Sequence, residues 1–283
     1  MGISASGVRR RYGTTAIVVV VVLLAGCGSG APSSAPPTVD GSGLRPAEVP
    51  DPTDAGSGAG ANTGSGADCP AQINRIVDTE RPATAETVLA LDFSGSFVAT
   101  DQARTRIRTQ ARALVEQSVE RGQALRILAF TRTASGASTI VACPALAARY
   151  NNDAARPRKI ENLKLKATAA VDVALQSAIS ARLAQKQGRG TSIVGGFLAI
   201  AESASLVRPG TPRDAVMFSD GEGLDEDVAV DLSAFRTVSL YGVGASANGS
   251  MDTVKAAAAA AGWKRWLIEH GAKSPNASTQ AMF

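Results

Sequence analysis

The sequence predicts an α/β domain, a doubly wound and mostly parallel central sheet flanked by helices. Three observations carry that expectation. Short, nearly continuous apolar runs, such as residues 87–92 (TVLALD) and 215–219 (AVMFS), suit strands buried on both faces. Longer stretches between them place apolar residues at helical spacing. The two kinds of segment alternate, which implies crossover connections and helices on both faces of the sheet.

Taken in order, residues 87–92 form the first strand. Residues 101–121 follow as a helix whose apolar stripe carries Ile107, Ala111, Leu114, Val115 and Val119, with Gly122 placed to end it and the arginines on the solvated face. Residues 124–131 (ALRILAFT) form a second strand, and 138–142 (STIVA) are a candidate third at an edge. Residues 150–163 are polar and give no clear period. Residues 168–186 read as a strong helix, with Val171, Ala174, Leu175, Ala178, Ile179 and Leu183 on one side. The Gly190-Thr191-Ser192 turn opens a helix over 193–206. Residues 215–219 and 238–243 (VSLYGV) are strands, 251–261 an alanine-rich helix, and 263–268 (WKRWLI) a candidate last strand. Ligands on such sheets bind at the carboxyl ends of the strands.

Those ends carry a distinctive set of oxygens. Asp92, Ser94 and Ser96 lie in LALDFSGSF, Thr191 in GRGTSIVGG and Asp220 in VMFSDGEG. Each group falls where a strand ends or a helix begins, so all fall on one edge of a parallel sheet. Two carboxylates and three hydroxyls make a hard, oxygen-only donor set suited to a divalent cation such as Mg²⁺, with Mn²⁺ and Ca²⁺ also acceptable. The same residue types also serve as turn and helix-cap residues, an alternative that stays open at this point. Glu222, Asp225, Glu226 and Asp227 follow as an acidic run, read as a solvated loop with acids near a helix N-terminus.

The DxSxS of Asp92, Ser94 and Ser96, the later Thr191 and the Asp220-Gly221 after an apolar strand resemble the von Willebrand factor A domain. That family's metal-ion-dependent adhesion site has the pattern DxSxS…T…D. The resemblance covers residues 86–269. It implies Ser94, Ser96 and Thr191 as direct or near-direct metal ligands, and Asp92 and Asp220 as ligands or water-holding groups. It implies a binding role, with a protein partner that offers Asp or Glu to the metal. Residues 144–189 are longer than the family's simplest members need, and their helix either covers the sheet or shapes the rim above the metal.

An enzyme is the contrasting class, and none is expected here. Aspartate-nucleophile phosphatases also place an Asp at the end of a first parallel strand, but need a second Asp two residues later as acid/base. Ser94 occupies that position and cannot perform the proton transfer at neutral pH. There is no G-x-S-x-G elbow, and the single histidine, His270, lies near the end of the chain.

The N-terminus reads as a signal peptide over residues 1–26. Arg9, Arg10 and Arg11 precede an apolar run at 16–25 that is too short for a comfortable membrane span. Leu24-Ala25-Gly26-Cys27 resembles the lipobox of bacterial lipoproteins, which implies cleavage before Cys27 and lipid on that residue. An uncleaved N-terminal anchor is the alternative. Either way the remainder is expected on the extracytoplasmic face of the cell membrane. Residues 27–67 are rich in Gly, Ser, Ala and Pro and read as a flexible tether with a mean reach of about 35 Å. The α/β domain is expected over 68–272, and 273–283 as a disordered tail.

With Cys27 assigned to lipid, Cys69 and Cys143 remain as an even pair in an oxidising compartment. A disulfide between them is expected, two free thiols being the alternative. Charge excludes one class of partner. The chain has 29 Lys and Arg against 25 Asp and Glu, but three of the arginines lie in the signal segment and no acid does. Aromatic content is 4%, and no basic patch interleaved with aromatics is present, so nucleic-acid binding is not expected. Within the binding-protein class, a structural subunit of an envelope assembly is a second reading.

Overall fold

The sheet grows outward from one strand, β1 (Glu86–Asp92), every residue of which is buried. This is what its apolar run and absence of alternation predict. The computed structural model describes residues 68–131, 137–185, 191–222, 228–245 and 252–280, apart from the side chains of Gly95 and Ser96. The expected signal peptide over 1–26, Cys27 and the expected tether over 27–67 lie outside the described residues.

β1 pairs in parallel with β2 (Ala124–Phe130) on one side and with β4 (Arg213–Phe218) on the other. β3 (Ser138–Cys143) closes the first edge antiparallel to β2, as expected of an edge strand. β5 (Thr237–Tyr241) and β6 (Pro275–Ser278) extend the other side in parallel. The order is β3-β2-β1-β4-β5-β6. Chain direction across the sheet therefore reverses between β1 and β4, and the crevice at their carboxyl ends is the position where open α/β sheets bind ligands.

Successive β1 side chains point to opposite faces. Leu89 and Leu91 join one core with Ile107, Leu114, Leu163 and Leu175, while Val88 and Ala90 join the other with Phe197, Trp263 and Leu267. The first core is covered by α1 (Ala71–Asn74), α3 (Asp101–Arg121) and α4 (Arg156–Ala184), the second by α5 (Ile193–Glu202) and α6 (Thr253–Glu269). A short α2 (Gly95–Val98) follows β1. The ends of α3 follow local chemistry: the Thr100 hydroxyl accepts from the Ala103 N–H, and Gly122 closes the helix in the left-handed conformation. α5 lies close on the sheet because Gly196 has no side chain. A Cβ there would stand 2.9 Å from Met217 Cε and the Phe130 ring.

Four sequence expectations need correction. The tail expected to be disordered over 273–283 contains β6, so the domain runs beyond 272. The strand is polar and short and makes its case through backbone pairing, for example Val238 N–H to Ser274 carbonyl, which hydrophobic periodicity does not register. The strand expected at 263–268 is the second half of α6. Ala256, Ala260, Trp263 and Leu267 recur every three or four residues and are buried, while Lys264 and Arg265 face outward. The helix expected at 168–186 starts twelve residues earlier, at Arg156, with a proline in its first turn. The helix expected to reach 206 stops at Glu202. Beyond it, the Ser205 hydroxyl and the Leu206 N–H turn aside to the buried Glu86 carboxylate, which also pairs with Arg213 at 2.7 Å.

Cys69 and Cys143 form a disulfide across 74 residues. It fastens the segment before α1 to the end of β3. Closing a loop of that length restricts the unfolded chain by about 4 kcal/mol in the chain-entropy account. Reduction, or paired Cys69→Ser and Cys143→Ser substitution, is expected to lower the free energy of unfolding by up to that amount, read from urea melts with and without reductant.

Candidate metal centre

Asp92 is the last residue of β1 and has no exposed surface. Its carboxylate is held by neutral donors. The Ser94 N–H donates to Oδ1 at 2.7 Å and the Ser219 hydroxyl to Oδ2 at 2.7 Å. The Ser94 and Thr191 hydroxyls also hydrogen bond it. Burial pushes the Asp92 carboxyl above its ordinary range, and these bonds work against that shift.

The serine and threonine hydroxyls are not spent on helix capping. Ser94 occupies the N-cap position of α2 but makes no side-chain cap bond. At α5 the cap is Ser192, whose hydroxyl accepts from the Gly195 N–H at 2.8 Å. Thr191, one residue earlier, is thereby left to face Asp92. The Ser192 N–H donates to the Thr131 carbonyl, fixing this turn beside the end of β2. The cap-only alternative thus does not describe what these two side chains do. Ser96 is in α2 by its backbone, and its side chain lies outside the described residues.

Asp220 stands two residues beyond β4, next to β1. Its carboxylate accepts from the Glu222 N–H at 3.1 Å, and its carbonyl accepts from the Gly244 N–H at 2.6 Å. Gly221 then turns the chain with φ of 78°, and a Cβ at that position would lie 2.9 Å from Val243. Burial, then repulsion from Asp92, push the Asp220 carboxyl up to about 7, with the Glu222 charge adding to it. Asp225, Glu226 and Asp227 lie outside the described residues.

The structure therefore brings together Asp92, Ser94, Thr191 and Asp220 at the strand-order reversal. Among the described residues no group of three His, Cys, Asp and Glu side chains gathers as a metal site. The donor set here is instead two carboxylates with hydroxyls, the hard-oxygen chemistry of Mg²⁺ and its relatives. It also lacks what two buried carboxylates require. They repel one another, and the hydrogen bonds that hold Asp92 come from uncharged groups. A divalent cation between them would reverse the cost of both, so the residues present fit such an ion.

Three supporting residues had weak or no sequence signals. Ser219, directly before Asp220, is fully buried and holds Asp92. Trp263 is fully buried on α6, and its indole N–H donates to the Gly221 carbonyl at 3.0 Å. Arg182, in the last turn of α4, is buried and its Nε donates to the Phe93 carbonyl at 2.8 Å, between Asp92 and Ser94. Helical spacing places Arg182 between Ile179 and Leu183 inside the expected helix, but nothing in the sequence says that its guanidinium meets the Phe93 carbonyl 89 residues away.

No protein-family model matches the sequence, and no curated protein matches it. Solved structures with a similar chain course include a von Willebrand factor type A protein from Catenulispora acidiphila, at 15% identity and a TM-score of 0.37, covering 58% of this chain and 34% of that one. Proximal thread matrix protein 1 from the mussel byssus, with a zinc-occupied MIDAS motif, matches at 13% identity and a TM-score of 0.36, covering 57% and 39%. An aerotolerance-related membrane protein from Bacteroides fragilis matches at 18% identity and a TM-score of 0.31, covering 56% and 68%. Among the described residues the fold is a six-stranded, mostly parallel α/β sheet with helices on both faces.

The raised Asp220 carboxyl has a pH signature. Its folded value, about 7, lies above the ordinary 3.8, so the folded, metal-free domain binds this proton more tightly than the unfolded chain does. Stability from this group is present at low pH and is lost as pH rises from about 4 through about 7. In chelator, the melting temperature is expected to fall between pH 5.5 and 8, and Asp220→Asn is expected to flatten that fall. An unchanged slope in the variant would assign it to other groups.

Proposed function

We propose that this chain is an extracytoplasmic lipoprotein, anchored through Cys27, whose domain binds a divalent cation at Asp92, Ser94, Ser96, Thr191 and Asp220. The bound ion captures a protein partner through an Asp or Glu side chain. The observation that carries this reading is the convergence of two buried carboxylates and uncapped hydroxyls at the carboxyl ends of β1 and β4. An ion held there supplies positive charge at a protein surface otherwise lined by oxygen. Mg²⁺ keeps an octahedral shell and retains water where the protein provides too few ligands. A partner carboxylate would replace such a water. The contact gives orientation and specificity, and the surrounding rim gives area.

The chain's own residues have separable tasks in this reading. Asp92 sets the floor of the site, because its two oxygens are already fixed by Ser94 and Ser219. Asp220 is the carboxyl whose ionisation the ion controls. Arg182 and Trp263 hold the loops that carry Phe93 and Gly221. We assign the domain a binding role rather than an enzymatic one because Ser94 stands where an aspartate-nucleophile phosphatase needs its acid/base, and a serine hydroxyl does not transfer that proton at neutral pH. The tether would let the domain search the layer next to the membrane while remaining anchored.

Calorimetric titration of Mg²⁺ and Mn²⁺ tests the site. One ion per chain is expected, with Asp92→Ala and Asp220→Ala each lowering affinity by at least tenfold. Envelope proteins retained on the immobilised chain are expected to elute with chelator. Full-strength ion binding in both variants, with the fold intact by circular dichroism, would refute the assignment. Mg²⁺-dependent phosphate release lost in Asp92→Asn would replace it with a hydrolase.

A further inference from the structure

The end of the domain opposite the metal centre carries a different kind of site. A depression of about 320 Å³ lies between the end of α1, the segment after β3 and the first turns of α4. Arg75, Arg149 and Lys159 line it, together with Asn151, Asn152 and Asn162, and no carboxylate does. All six side chains are exposed. Among the described residues, none of the three cations forms an ion pair. Of the acids in the neighbouring segments, Glu161 pairs with Lys164, the Asp78 carboxylate accepts from the Glu80 N–H, and the exposed Asp153 does not line the depression. Arg156 and Arg158, also exposed, flank the rim from α4. Three unpaired cations and three amides around a concavity are the donor set for phosphate oxygens.

Position selects the source of those oxygens. Arg149 follows the Ala148–Val77 bridge, next to the amino end of β2, where the Leu146 N–H donates to the Gln123 carbonyl. Lys159 is near the start of α4 and Arg182 near its end, which separates the depression from the metal centre by about 35 Å of helix. Arg75 is seven residues from Asp68, where the described chain begins, and the Cys69–Cys143 disulfide fixes that segment to the same end. Asp68, the first described residue, is therefore held at the end of the domain that carries the basic depression.

We propose that this face docks on anionic phospholipid headgroups of the membrane that holds the lipid anchor, turning the metal centre away from the bilayer. The proposal rests on the lipoprotein reading. Lipid and tether alone leave the domain's orientation free. Three basic side chains at an anionic surface restrict it, with an electrostatic gain that corresponds to roughly 100-fold in partitioning.

The test uses the mature chain from residue 27 with Cys27→Ser, so that binding does not come from acylation. Co-sedimentation is measured with vesicles of two parts phosphatidylcholine to one part phosphatidylglycerol, and with phosphatidylcholine alone. Binding is expected only to the anionic vesicles, weakening with salt. Arg75→Gln, Arg149→Gln and Lys159→Gln together are expected to lower it roughly 100-fold. A control of equal charge change on exposed residues of α6, Lys255→Gln, Lys264→Gln and Arg265→Gln, is expected to lower it far less. Urea melts check that both variants fold. Equal loss in the two triple variants, or equal binding to both vesicles, overturns the proposal. Saturable binding of inorganic phosphate that the first triple variant abolishes, with vesicle binding unchanged, assigns the depression to a free anion and also overturns it. Acylation of Cys27 is read separately, from the mass of the N-terminal peptide of cell-made protein. Acylated protein without vesicle binding therefore refutes this face and leaves the anchor standing.

Discussion

Asp92 closes a strand that is buried along its whole length, and its charge has to be accommodated where no water reaches it. The rest of the site follows from that constraint. The chain answers it with the Ser94 N–H, the hydroxyls of Ser94, Thr191 and Ser219, and a loop pinned by Arg182. These groups fix the carboxylate without neutralising it. The second carboxylate, Asp220, is brought to the same crevice by the neighbouring strand, and its ionisation is opposed by burial and by Asp92. Two acids arranged in this way raise each other's cost, which is a poor solution for a structural core and a good one for holding a divalent ion.

The sheet order explains why these groups meet. β1 and β4 are neighbours at the reversal of strand order, so their carboxyl ends lie side by side at the position where open α/β sheets bind ligands. α5 completes the site because Gly196 lets that helix approach Met217 and Phe130. The hydroxyl of Ser192 takes the capping role, and that of the preceding Thr191 is free for Asp92. The same parallel architecture sends the opposite strand ends, the disulfide and the basic depression to the far side of the domain. The proposed metal-dependent contact at one end and the proposed membrane contact at the other are compatible demands on one sheet.

Much of this was legible in the sequence, and the exceptions have physical reasons. β1, β2, β4 and β5 announce themselves as apolar runs, and α3 by its apolar stripe and the Gly122 that ends it; the Thr100 cap shows only in the structure. The DxSxS, Thr191 and Asp220 groups were readable because each sits at the end of an apolar strand or the start of a helix. β6 was hidden because an edge strand of Pro, Asn, Ala and Ser needs only backbone pairing. The WKRWLI segment misled because two large aromatics in a short run imitate strand composition, while the three-to-four residue spacing that makes it helical extends back into the alanines. Arg182, Ser219 and Trp263 act on the site through long-range contacts, 89 residues for Arg182 to Phe93, and local pattern carries no record of such contacts.

The central claim is that a cation belongs between Asp92 and Asp220. Anomalous diffraction from crystals of the domain soaked in Mn²⁺ tests it most directly. The account predicts one strong peak in the crevice at the carboxyl ends of β1 and β4, bonded to the hydroxyls of Ser94, Ser96 and Thr191 and bonded directly or through water to the two carboxylates. A peak elsewhere, or a crevice without one at saturating Mn²⁺, would contradict it.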